Sequence, residues 1–188
     1  MKPSTKTKQK TLTKLIMANI VGFVGIGLSA LVIALACASL SSKYWQTVEL
    51  AGGVAKLNMG LWDYCLEVSG TKTCTKIKDE SSISDEAKDD ANACKAMIFV
   101  AIFVTLAASI TGGLVMFALK EKKILYFVAG GLDISAGIFF MIAMAIYVEK
   151  LKNDESDLHV GFALDVVSWI LAWAAGGIFF GAKFMDKD

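Results

Sequence analysis

Residues 59–74 read MGLWDYCLEVSGTKTC. A tryptophan, two cysteines and a run of β-forming residues meet here, in one of the few polar segments of a largely apolar chain. Side chains alternate through 63–68, and Ser69–Thr71 supplies turn residues, which predicts two antiparallel strands. Upstream, TVELAGG (47–53) and VAKLNM (54–59) continue the pattern around a turn at Gly52 and Gly53, and KTCTKIK (72–78) closes it. The segment reads as a small antiparallel sheet. Cys65 and Cys74 flank the Ser69–Thr71 turn at hairpin spacing, so a bond between them would tie two neighbouring strands. Closing a loop of about ten residues constrains the unfolded chain by roughly 2–3 kcal/mol in the entropy model.

On either side of this segment the sequence turns apolar in blocks. Leu15–Ser42, Ala96–Leu119, Ile124–Val148 and Leu158–Ala182 contain no Lys or Arg. Each is longer than the roughly 20 residues a helix needs to cross a hydrocarbon core of about 30 Å. With 55% hydrophobic residues and a mean hydropathy of +0.57, the chain reads as an α-helical membrane protein. Its spans are 15–42, 96–119, 124–148 and 160–182. A secretory signal is the other reading of the first span, because a Lys-rich start precedes an apolar run and ALA stands at Ala34–Ala36. A signal's apolar region is about 7–15 residues, shorter than this one, so the span is expected to be retained. Small residues recur in the first span (Gly22, Gly25, Gly27) and the last (Gly176, Gly177, Gly181). They are expected to let helix backbones approach closely, the Gly177/Gly181 pair within the bundle.

Lysines orient the spans, since Lys-rich segments stay cytoplasmic. Residues 1–14 carry five lysines and no acid, and KEKK (120–123) adds three more. Both, with the short tail 183–188, are placed in the cytoplasm, leaving loops 43–95 and 149–159 extracellular. The 120–123 connection is short enough to make spans two and three an antiparallel hairpin. The basic arm 1–14 either sets topology alone or also draws anionic membrane lipid, at about 1 kcal/mol per Lys near the surface.

The end of the first loop changes period. Ile83, Ala87, Ala91, Cys94 and Ile98 fall three and four apart, so a helix is expected to begin above the membrane and run into the second span. Ser82, three residues before Asp85, is a candidate cap. Cys37 and Cys94 lie near the same ends of spans one and two, and either pair or remain two buried free thiols. Asp133 and Asp165 fall inside spans, where an acid marks a functional position or a hydrogen-bonded anchor. Ser135, Ser168, Asn19 or a backbone group are the candidate partners. His159 is the only histidine, and no nucleophile, phosphate-loop or metal motif occurs. No enzyme activity, catalytic residue, cofactor, metal or nucleic-acid partner is expected. Loop 43–95 holds nine acids and seven lysines, and 149–159 four acids and two lysines, a mixed surface that would select ions if it lined a passage.

Trp45, then GLW at Gly60–Trp62, then Cys65 and Cys74, resembles the W…GLW…C…C signature of the claudin and peripheral-myelin/epithelial-membrane-protein superfamily. ANACKAM (91–97), FVAGGLDISAG (127–137) and ILAWAAGG (170–177) resemble that superfamily's second, third and fourth spans, so the likeness covers nearly everything after Lys14. The resemblance implies a left-handed four-transmembrane-helix bundle carrying a small extracellular antiparallel sheet of five strands. It also implies a Cys65–Cys74 disulfide, with Trp45, Gly60, Leu61 and Trp62 seating the sheet on the membrane. By likeness to claudins, Ile83 is a lateral knob and Tyr147 and Val148 its receivers on a neighbour; alternatively Ile83 packs within its own subunit. Several features depart from claudins. Lys95 stands where Arg is usual, the cysteine spacing is one residue shorter, and Thr75 follows the second cysteine. No Tyr-Val tail occurs, so no C-terminal PDZ-type linkage is expected, and the N-X-S/T sequon usual in the myelin branch is missing.

Two functions follow from different classes. One is a plasma-membrane protein of cell–cell contacts that associates with its own kind in cis and in trans, as a paracellular barrier or channel. The other is an auxiliary or membrane-organising subunit bound to another membrane protein, resembling calcium-channel gamma subunits. A transporter resting on Asp133 and Asp165 ranks behind both.

Overall fold

In lipid every backbone polar group must be bonded within its own segment, and a helix does this. The apolar blocks accordingly form α1 (Thr5–Ser41), α2 (Asp85–Phe117), α3 (Ile124–Ile146) and α4 (Val160–Met185). All four are long and apolar enough to cross a membrane. The computed structural model describes residues 5–81, 83–118, 122, 124–152 and 156–185. The Lys120–Lys123 connection, Lys122 excepted, and Ser82 lie outside them, as do the final residues 186–188. α1 extends through the Lys-rich segment to Thr5, so that segment is helical from there. α2 starts well before the apolar block, as its period predicts, but its cap is Ser84, whose Oγ accepts from Ala87 N at 3.3 Å. Past α3 the helix widens into a π turn, Tyr147–Leu151, closed by Lys152 N donating to Tyr147 O at 2.8 Å.

The helices pack as a ring in which α1 neighbours α2 and α4, and α3 neighbours α2 and α4. Close approach of α3 and α4 depends on glycine. A Cβ on Gly130 or on Gly176 would lie 2.8 Å from the other's carbonyl oxygen. Gly25 and Gly112 likewise make room for the ring of Phe179. Gly177 and Gly181 do not pack inside the bundle as the sequence suggested, since a Cβ on either meets nothing within 4 Å. The interior core is centred on Trp45, Leu61, Cys94, Ile98, Phe140 and Tyr147 at one end, and on Val115, Tyr126 and Phe179 at the other.

Five antiparallel strands cover the first of those ends: β1 (Gln46–Leu50), β2 (Ala55–Met59), β3 (Asp63–Val68), β4 (Thr71–Lys76) and β5 (Asp157–Leu158). Their order is β4-β3-β2-β1-β5. The β3–β4 hairpin turns on Ser69 (φ 48°) and Gly70 (φ 81°). Two successive positive φ values match the twist of the strands they join, which is why a small residue and a glycine stand there. β5 comes from the second loop and pairs Gln46 with Leu158 and Thr47 with Asp157. Both long connections thus enter one sheet.

Candidate functional site

The last carbonyls of a helix have no partner in the helix itself. At the end of α1 two tryptophans supply them. Trp45 Nε1 donates to Ser39 O at 2.8 Å, and Trp62 Nε1 donates to Leu40 O at 2.9 Å. The two indoles flank the β1–β2 hairpin in sequence and meet at its open end, so the sheet is bonded to the helix it follows. Gly60 lets the chains cross there: a Cβ would stand 2.5 Å from Ser42 O and 2.8 Å from Lys43 Cα, both backbone atoms. Leu61 is fully buried in the core, whereas Trp62 is half exposed, with Lys95 Nζ 4.5 Å above its ring and Phe99 edge-on beneath. The GLW motif is therefore a crossing point, a core plug and a helix cap in consecutive positions.

Trp45 is fully buried among helix ends, away from the lipid surface. Its ring lies 4.7 Å from that of Tyr147 and 6.2 Å from that of Phe162. Its backbone accepts from His159 N at 2.9 Å and donates to Met59 O at 2.9 Å. Beneath it Gly161 leaves room where a Cβ would meet the indole at 2.5 Å. Gln46, the next residue, donates to Leu151 O and accepts from Ser156 Oγ. Gly161, Phe162 and Gln46 were not singled out from sequence; a Gly opening an apolar block is the only signal the first of them carries.

Cys65 and Cys74 are direct cross-strand partners and form a disulfide. Such a bond persists in oxidising compartments. Cys37 and Cys94 are both free; Cys37 is exposed on α1 instead of buried, and Cys94 Sγ donates to Ala143 O at 3.4 Å. Tyr64 Oη donates to the Glu80 carboxylate, joining β3 to the segment before α2 and holding the phenol above its ordinary pKa.

The two intramembrane acids are fully buried and differ in their surroundings. Asp133 meets Ser29 of α1, whose Oγ lies 2.9 Å from Oδ2 and 3.1 Å from Gly25 O. The candidate partners Ser135 and Ser168 instead bond to carbonyls of their own helices, and the side chain of Asn19 is outside the described ones. Neither oxygen of Asp165 has a partner among the described residues, nor do the Tyr147 hydroxyl and Trp169 Nε1. A buried polar group without a partner costs about 1–3 kcal/mol. Asp165→Ala is therefore expected to hold or raise the melting temperature of the detergent-solubilised chain. A fall of several degrees would mean that the carboxyl holds structure.

Ile83 is half buried and lines a small apolar pocket with Met59, Ile77 and Tyr147 of its own chain. Tyr147, expected as a receiver for a neighbour's knob, is closed off by Trp45 and Phe162, whereas Val148 is 44% exposed. On one sheet face Gln46 and Val48 are buried, but farther out Leu50, Leu66 and Val68 are each more than a third exposed, with Val54 at the β1–β2 turn 64% exposed. β4 is an open edge carrying Lys72 and Lys76, charges that discourage strand addition.

Among curated proteins none matches the chain. A family model described as PMP-22/EMP/MP20/Claudin matches residues 16–182, a stretch that holds the apolar part of every helix, the whole sheet and both connections into it. With a disulfide joining strands of that sheet and a tryptophan seated under it, the chain is a multi-pass membrane protein belonging to the PMP-22/EMP/MP20/Claudin family.

Proposed function

We propose that the chain is a non-enzymatic, claudin-like protein of cell–cell contacts in the plasma membrane. Its termini are cytoplasmic and its sheet extracellular. It assembles laterally, meets its counterpart on the opposing cell, and restricts or selects what passes between cells. The observation that carries this reading is the apolar outer half of the sheet, Leu50, Val54, Leu66 and Val68, held by a disulfide-braced hairpin. Exposed apolar side chains grouped on a rigid element mark a contact surface. Val148, the neighbour in sequence of Tyr147, which lines the chain's own Ile83 pocket, is a second exposed apolar side chain.

A second reading, an auxiliary or membrane-organising subunit bound to another membrane protein, is favoured by Gly177 and Gly181. Their outward placement leaves a close-approach track on α4 open to a foreign helix. Freeze-fracture microscopy of cells without junctions of their own, expressing the chain, separates the two. Strands at contacts are expected, and Val148→Asp, a change on an exposed side chain, is expected to shorten or remove them while surface delivery persists. Ile83→Asp should do the same if Ile83 is a lateral knob. Evenly spread particles with normal delivery would favour the second reading.

A further inference from the structure

Between the sheet and the first turns of α2 runs a groove of about 560 Å³. One wall is Asp63, Lys76, Ile77 and Lys78; the other is Asp85, Lys88, Asp89, Asn92 and Lys95 of α2; Trp62 closes the lower end. Two of its acids are already engaged, Asp63 with Lys43 and Asp85 with Lys88, each at 3.4 Å. Among the described residues no carboxylate lies within ion-pair distance of Lys76, Lys78 or Lys95. Among the described residues the groove thus offers three ammonium groups without a carboxylate partner, of which Lys95 lies over the Trp62 ring, and at Asp89 a carboxylate without an ion-pair partner.

The α2 wall does not end at the groove. Its positions 85, 88, 92 and 95 continue at helical spacing into Phe99, Phe103, Leu106 and Ile110, all exposed and apolar. From Phe99 to Ile110 the stripe descends about 16 Å, half of a hydrocarbon core of about 30 Å. A polar recess opening onto one leaflet's depth of apolar track has the shape of an amphiphile. We propose that this groove seats the headgroup of a phospholipid from the leaflet on the sheet side, its phosphate on Lys76, Lys78 and Lys95 and its acyl chains along Phe99 to Ile110. Anionic lipids concentrate in the cytoplasmic leaflet, so on the opposite side the lipid is zwitterionic. Asp89 then faces its quaternary ammonium group. The Lys95–Trp62 stack holds the lysine at the boundary between headgroup and chain. This site is independent of strand formation; its choice of a zwitterionic lipid rests on the extracellular placement of the sheet proposed above.

Native mass spectrometry of the purified full chain in a non-ionic detergent tests it, with palmitoyl-oleoyl phosphatidylcholine as probe. Phosphatidylcholine is expected to bind about tenfold more tightly than the matching diacylglycerol, the size of one charge-assisted phosphate contact. Glycerophosphocholine, which has the head and no chains, is expected to bind far more weakly than the lipid. The triple variant Lys76→Gln, Lys78→Gln, Lys95→Gln should lose that tenfold advantage, and Lys56→Gln on β2, outside the groove, should keep it. Equal binding of diacylglycerol overturns the proposal, as does glycerophosphocholine binding as well as the lipid. So does a triple variant that keeps wild-type preference with its disulfide formed and its melting temperature unchanged. Should the triple variant not fold, the ligand comparison on the wild-type chain decides alone.

Discussion

Trp45→Ala is expected to destabilise the folded chain by about 3–5 kcal/mol, the range for truncating a large buried aromatic. The indole is fully enclosed, packs against Tyr147 and, edge-on, against Phe162, and caps Ser39 O at the end of α1. Removing it opens a void where both connections into the sheet and the ends of three helices meet. Trp45→Phe removes the hydrogen bond and only a small part of the volume. Ser39 O still accepts from Ser42 N at 3.0 Å, so the cost should fall to about 1–2 kcal/mol. Thermal unfolding in detergent micelles and the fraction of protein delivered to the cell surface measure both. If Trp45→Ala were no worse than Trp62→Ala, whose indole is half exposed, Trp45 would not be the joint described.

Loss of the disulfide has the second-largest expected effect, and a local one. The double variant Cys65→Ala, Cys74→Ala should lower stability by about 2–3 kcal/mol through the unfolded chain's regained freedom. β4 is an edge strand with β3 as its only neighbour, and almost all its residues are exposed. It should therefore open first. Hydrogen exchange is expected to quicken across β4 and the outer part of β3 while the four helices keep their protection. Mild reduction of the wild-type chain should give the same pattern. A uniform rise through the bundle would mean that the bond braces the whole fold.

Much of this architecture is written locally. An apolar block longer than a bilayer's thickness has one stable form in lipid, so the four helices needed no knowledge of their neighbours. The β3–β4 hairpin is equally local, because Ser69 and Gly70 adopt the positive φ values that such a turn needs. So is the buried face of α2, where Ala91, Cys94 and Ile98 recur at helical spacing. Strand β5 was not legible: at two residues it has no pattern, and it exists only because Trp45 O and Gln46 meet the second loop there.

Contacts across the bundle were the other blind spot. Ser29, not Ser135 or Ser168, meets Asp133; Gly176, not Gly177 or Gly181, meets α3; Cys37 faces outward; and Tyr147 lies buried against Trp45. Each depends on how far a helix is turned about its own axis and how deep it sits. A segment that is apolar all round carries little record of either. Composition and period therefore determined the spans, the hairpin and its cysteines. Rotation and depth, set by the close passage of glycines and by two tryptophans bonded to the end of α1, were decided only when the helices packed.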